Sequence, residues 1–291
     1  MQDTERARAR LRRRGRLAPR RVLGAACAHV TITVALVFMA APFLWMLSSA
    51  FKDSTAVLTF PPQWIPSPPT LDSIKQFLNS EPLGSFYANS LKIALSITVG
   101  QLVFCSSAAY AFARLRFPGR ELLFGIYLSS LLVPEQITII PLYIVMKHLG
   151  LLDNQLSLIL PGLTSAFGIF LLRQFFLSIP YELEEAARVD GAGPFRILAT
   201  IYMPLSGAAL ATLAIFSFNY YWNELFRPLI FLSSISNMTV PLGLASVLGQ
   251  FNQNQALLMA GVTLAVLPVL ALYLIAQRYI VEGITLTGLK G

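Results

Sequence analysis

Apolar positions in this chain gather into six long blocks, at about 22–47, 85–112, 122–146, 157–176, 205–232 and 256–281. Each is long enough to cross a hydrocarbon layer of about 30 Å as a helix rising about 1.5 Å per residue. The intervals between them are polar or turn-rich. The first is the longest on its side, and its Pro-rich middle, TFPPQWIPSPP, cannot continue a helix, while Trp64 suits a membrane–water interface. Prolines also fall inside the blocks, at Pro42, Pro134, Pro141, Pro161, Pro228 and Pro268. Membrane helices tolerate them because neighbouring helices or cavity water satisfy the freed carbonyls. The pattern predicts an all-α membrane protein: a basic tail over 1–21, six transmembrane helices over 22–281, and a short tail over 282–291.

Composition strengthens this reading. The 291 residues are 55% hydrophobic and only 12% charged, and the mean hydropathy is +0.64. A soluble protein carries about 25% charged residues, so lipid must be the solvent for much of this surface. The net charge of +8 is concentrated in nine arginines before residue 22. Directly ahead of an apolar block such a run fixes orientation, and no aromatic residue interleaves it as a nucleic-acid stacking platform requires. With the N-terminus inside, seventeen Lys and Arg fall on the inner side and five, Arg227 among them, on the outer. That places the N- and C-termini in the cytoplasm of a multi-pass protein. The first block is too long for a signal-peptide core of about 7 to 15 residues. Cys27 and Cys105 read as small buried hydrophobes, and no cluster has metal-ligand spacing.

No phosphate-cradling G-x-x-x-x-G-K-[ST], H-E-x-x-H or G-x-S-x-G sequence is present, so no catalytic residue is expected and any nucleotide chemistry falls to another polypeptide. Two carboxylates, Glu135 and Glu224, lie well inside blocks. At a helix centre each costs about 2.5 to 3.5 kcal/mol against lipid, so each should face protein or water. Glu224 ends a run of Asn219, Tyr220, Tyr221, Trp222 and Asn223, whose aromatic faces and amides suit the C–H faces and hydroxyls of a sugar. An interfacial aromatic belt is the other reading of that run. With Glu135 and Gln136 these residues make the candidate solute path. Few cationic residues lie within the blocks, which favours a neutral solute.

The most informative polar interval is residues 178–204, SIPYELEEAARVDGAGPFRILATIYMP. Pro180 and the acidic residues Glu182, Glu184 and Glu185 suit a helix start, Gly191 offers a left-handed stop, and Pro194 permits a second short helix. This helix–elbow–helix resembles the EAA loop of ABC-importer permeases: E-A-A, three residues, G, nine residues, then I-x-L-P. Glu185, Ala186, Ala187, Gly191, Ile201 and Pro204 stand at that spacing, with Met203 in place of Leu. YAFARLRFPGR, VPEQITIIPLY, WNELFRPL and the terminal QRYIVEGITLTGLKG extend the resemblance to the carbohydrate-uptake branch, the maltose-permease G-subunit type. The C-terminal motif departs from that family at Thr287 and Gly288.

The resemblance implies a type I ABC-importer permease fold with a cytoplasmic EAA coupling loop, in a prokaryotic cell membrane. It implies a second homologous permease subunit, two copies of a cytoplasmic ABC ATPase holding ATP and Mg, and an extracytoplasmic solute-binding protein. This chain would itself bind no cofactor and no nucleic acid. Glu182, Glu185, Ala186, Ala187, Asp190, Gly191, Ile201 and Pro204 would couple it to the ATPase. An ion-coupled secondary transporter and a membrane scaffold are the rival classes; the first should show inverted repeats, which the sequence lacks, and the second needs neither Glu135 nor Glu224.

Overall fold

The computed structural model describes residues 2–57, 59–80, 82–250 and 254–288, with side chains over 23–57, 59–79, 82–246 and 254–275. The described residues are helical or irregular, with no strand among them. They divide into two compact units, residues 1–74 with 255–260, and residues 75–254 with 261–291.

In the first unit, α1 runs Gln2–Ala50, and none of the apolar window within Leu23–Ala50 is buried. A helix apolar on every face and open on every face belongs in lipid. Beyond it the chain folds back on the helix end: Thr70 N–H donates to Phe51 O (2.9 Å), and Ser48 Oγ donates to the Trp64 carbonyl (2.6 Å). Helix α2, Asp72–Ser80, then starts with Asp72 at the positive end of its dipole.

The second unit is organised by α3, Leu83–Arg114. Its Leu91, Leu95, Val99 and Val103 form an exposed apolar row at intervals of four. Its opposite side joins two hydrophobic clusters. Ile93 and Ile97 pack with Ile139, Leu158 and Phe231; Cys105, Ala109 and Tyr110 pack with Leu172, Phe176, Tyr202 and Leu213. Gln101 lies between the two sets on α3. Close approach depends on small residues, as in membrane bundles: a Cβ on Gly168 would meet Leu213 at 3.0 Å and Cys105 Sγ at 3.1 Å.

Helix α4, Arg120–Ser129, passes through a 3-10 turn at Ser130–Leu132 into a break, and α5, Glu135–His148, departs at 102°. The block expected as one helix over 122–146 is therefore bent. Pro134 holds Val133 in an extended conformation and has no N–H to continue the ladder. Helices α6, Leu156–Gly162, and α7, Ala166–Ser178, are separated at 163–165, where Ser165 Oγ caps α7 through Gly168 N–H (3.3 Å). Helix α8, Tyr181–Val189, and the short α9, Pro194–Ile197, follow. A widened π turn at Leu198–Tyr202 then leads through α10, Met203–Leu205, to α11, Gly207–Asn223, with an 84° bend before α11.

The block expected over 205–232 is also interrupted. Glu224 is extended (φ −70°, ψ 126°) and α12, Phe226–Phe231, starts anew. Pro228 accounts for this, since its ring would clash with the carbonyl four residues earlier, that of Glu224. Glu135 and Glu224 thus lie at helix breaks, not helix centres as the sequence suggested. Helices α13, Val240–Gln250, and α14, Gln255–Gly288, complete the chain. Four helical stretches are individually long and apolar enough to cross a membrane, and six when each bent pair counts as one. Of the expected tail over 282–291, residues 282–288 continue α14 and residues 289–291 lie outside the described residues.

A polar clasp joins two loops of the second unit. The Asp153 carboxylate accepts from Ser233 N–H and Ser234 N–H (2.9 Å each) and from Ser234 Oγ, while Asn237 Nδ2 donates to Asp153 O (2.6 Å). These donors hold its carboxyl well below the usual carboxylate range, the Ser234 hydroxyl most of all.

Candidate functional site

Three of the helix breaks converge, all but the 84° bend before α11. A cavity of about 400 Å³ is walled by Glu135, the first residue after the α4–α5 break, by Thr164 and Ser165 of the α6–α7 break, and by Tyr220, Tyr221 and Arg227 around the α11–α12 break. Gln101, Phe167, Leu213, Phe216 and Ser217 complete it. Irregular backbone at membrane depth is tolerated where it lines a polar cavity or is covered by protein, and here all three interruptions border one such space. A larger hollow of about 670 Å³ is walled by the consecutive residues 116–122 and brings no distant groups together.

Charge in the cavity centres on Arg227. Its side chain is 7% exposed and forms ion pairs with Glu135 (2.9 Å) and with Glu224, whose second oxygen accepts from Nη2 at 2.9 Å. Tyr220 OH donates to the other Glu135 oxygen (2.8 Å), and the guanidinium lies 5.2 Å from the Tyr221 ring centre. Gln101 Nε2 donates to Gly162 O (2.8 Å), one of the carbonyls freed by the α6–α7 break, and to Tyr221 OH (3.2 Å). Two carboxylates share one guanidinium, so the ionised cluster carries one net negative charge. Glu135, 38% exposed, is the partner open to the cavity, whereas Glu224 is 9% exposed.

Of the sequence candidates, Glu135, Tyr220 and Tyr221 line this space and Glu224 supports it from behind Arg227. The others go elsewhere. Trp222 is buried, donates to Ala265 O (3.3 Å) and stacks on Phe218. Asn223 Nδ2 turns back to Asn219, bonding its carbonyl (2.7 Å) and side-chain oxygen (3.1 Å). Gln136 is exposed and away from the cavity. Arg227, Gln101 and Ser217 were not foreseen. The signal for the α11 members was the spacing 213, 216, 217, 220, 221, one face of a helix.

The second candidate region is the 178–204 loop. Helix α8 ends in a Schellman motif: Ala192 N–H donates to Ala187 O (2.9 Å), Gly191 N–H to Arg188 O (3.0 Å), and Gly191 has φ +79°. Glu184, not among the sequence candidates, anchors the loop. It is fully buried and accepts from Tyr202 OH (2.6 Å), Arg188 Nη2 (2.6 Å) and Tyr110 OH of α3 (3.2 Å). Beside it Arg114 caps α7 by donating to Phe176 O (2.6 Å) and to Ile179 O. Glu182, Glu185, Ala186, Asp190, Gly191 and Pro204 are exposed, and Ala187 and Ile201 are half-buried. Val189 and Phe195 add bare apolar surface at 88% and 83% exposure. Among the described residues no group of His, Cys, Asp or Glu has the arrangement of a metal site.

A family model described as "binding-protein-dependent transport system inner membrane component" matches residues 101–286. The sn-glycerol-3-phosphate transport system permease protein UgpE of Yersinia enterocolitica is 35% identical over 268 residues, covering 88% of this chain and 94% of its own. The arabinooligosaccharides transport system permease protein AraQ of Halalkalibacterium halodurans is 34% identical over 253 residues, 86% of this chain and 91% of that one. The crystal structure of a bacterial ABC transporter involved in import of the acidic polysaccharide alginate contains a chain that matches with a TM-score of 0.80 at 26% identity, over 89% of this chain and 96% of the other.

Proposed function

Because the chain belongs to the binding-protein-dependent transport system inner membrane components, and so is a multi-pass permease subunit of an ABC importer, we propose that its three-break cavity forms part of the path for a neutral, sugar-like solute. The convergence of these three breaks on one polar space carries this reading. Tyrosine faces and hydroxyls, Gln101 and the Glu135 carboxylate match the C–H faces and hydroxyls of a carbohydrate. The relatives' names cover a phosphate ester, an oligosaccharide and an acidic polysaccharide, so names alone do not choose. The charge of the cavity supports the neutral solute, since two carboxylates around one guanidinium disfavour an anion.

In this reading the chain pairs with a second permease and receives solute from a binding protein on the outer side. ATP and Mg act on two copies of a separate ATPase at the cytoplasmic side, where both termini and the 178–204 loop lie. The exposed Val189 and Phe195, flanked by Glu182, Glu185, Ala186 and Asp190, offer that ATPase an apolar contact with a charged rim. Gly191 sets the turn between the two short helices, while Ile201 and Pro204 carry movement toward α11.

The test is uptake of a neutral oligosaccharide by the importer reconstituted with its ATPase and binding protein. Glu135→Gln and Tyr220→Phe are each expected to lower uptake about tenfold, equivalent to about 1.4 kcal/mol, while assembly and basal ATP hydrolysis stay unchanged. Normal uptake by both variants would remove the cavity from the path.

A further inference from the structure

We infer that the loop from Thr59 to Leu71 is a lipid-interface collar, its Phe60, Trp64 and Ile65 side chains seated at the headgroup–acyl boundary beside the end of α1. Between Asp53 and Asp72 the chain has eighteen residues without an Asp, Glu, Lys or Arg, five of them prolines. Phe60 is 95% exposed, Ile65 81% and Trp64 55%. Three large apolar side chains exposed within six residues, on a segment that carries no charge of its own, form a surface that water disfavours.

Local contacts fix the depth of this surface. Trp64 meets Trp45 edge to face at 5.2 Å, its carbonyl accepts from Ser48 Oγ, and the Lys52 ammonium lies 3.8 Å from the Trp45 ring centre. Trp45 stands five residues before the end of α1 at Ala50, or about 7.5 Å back along the helix. The loop is therefore tied to the last turns of an apolar span whose apolar window has no buried residue, with burial only at its end, at Ser49 and Ala50. That depth matches the about 5–10 Å to which interfacial elements sink their apolar side. Tryptophan is favoured there because its ring is apolar and its N–H still reaches water. The prolines contribute as well. Each lacks an N–H, so the irregular backbone brings fewer donors needing a partner where water is scarce. Continuity with the lipid-facing span selects lipid as the occupant over a docked protein.

The test uses spin labels at Phe60→Cys and Ile65→Cys, one at a time, with Cys27 and Cys105 replaced by Ser, in the assembled importer in nanodiscs. Collisions with oxygen, which partitions into lipid, are compared with those of a water-soluble nickel chelate, with and without the solute-binding protein. Oxygen collisions should exceed nickel collisions at both positions, and the binding protein should leave the ratio unchanged. Dominant nickel collisions would put the loop in water and overturn the proposal. So would shielding from both probes, or protection that arises only when the binding protein is added, since either makes the loop a protein contact.

Discussion

Glu184 and Arg227 are each a buried ion in the second unit, yet their surroundings do opposite things. Glu184 is enclosed by two tyrosine hydroxyls and one arginine drawn from α3, α8 and the π turn, and no face of its carboxylate is open. Arg227 is held by two carboxylates, one of which keeps 38% of its surface toward the cavity. A buried charge with no open face of its own, held from three elements, fixes those elements together; its one exposed partner, Arg188, stands on the same helix. A buried charge that lines a cavity together with its partner projects its field into that space, where low-dielectric walls keep it strong. The first arrangement makes a joint and the second a lining.

The largest expected effect comes from removing the centre of the lining. Arg227→Met leaves Glu135 and Glu224 uncompensated and is expected to lower stability by about 3–5 kcal/mol, read as a drop in the melting temperature of the purified complex together with lost uptake. Arg227→Met combined with Glu224→Gln should regain part of the melting temperature; no recovery would mean that Arg227 does not act through its carboxylates.

Next is the joint. Glu184→Ala strands the Tyr110 and Tyr202 hydroxyls and should cost about 1–3 kcal/mol, with Glu184→Gln milder because it keeps an acceptor. Co-purification of the ATPase should fall, while the solute concentration giving half-maximal uptake by the remaining assembled importer stays the same. A shift in that concentration would erase the contrast between joint and lining.

A smaller effect is expected at the elbow. A Cβ on Gly191 meets nothing within 4 Å, so the burden of Gly191→Val lies in the backbone, about 1–2 kcal/mol for a left-handed β-branched residue, and Gly191→Asn should be nearly silent. ATPase attachment and solute-stimulated hydrolysis measure it, and equal effects from Val and Asn would point to contact instead of conformation.

The smallest concerns Asp153, which belongs to neither region. Its depressed carboxyl contributes fully above the ordinary aspartate value of about 3.9 and loses its contribution as the pH falls through its own lower value. Hydrogen exchange at Ser233 and Ser234 should be protected evenly from neutral to mildly acidic pH, and Asp153→Ala should abolish that protection.

The sequence made the membrane class and the six blocks readable because apolar length is additive along the chain. Breaks are decided by single residues within those blocks. Pro134 and Pro228 were visible, but a proline in a membrane span is compatible with either a kink or a full interruption, and tertiary contacts choose. The aromatic run at 219–224 was legible as chemistry and not as geometry: successive helical residues turn by about 100°, so Tyr220 and Tyr221 face the cavity while Trp222 faces Ala265. Gly191 was readable since few residues other than glycine accept its φ. Glu184 was not, because three glutamates stand within four positions and only the fold determines which one meets Tyr110 and Tyr202.

The π turn at Leu198–Tyr202 carries a consequence for how this loop can change over generations. A π turn is the trace of one extra residue inside a helix, and that residue rotates everything upstream by about 100° relative to α11. Deleting a single codon there would restore ordinary helical register, lift the Tyr202 hydroxyl off Glu184 and swing Phe195 to another side of the chain. Side-chain substitutions across 195–202 would leave this phase intact. The phase of the loop is therefore encoded in its length: a change of letters leaves it in place, and a change in their number shifts it.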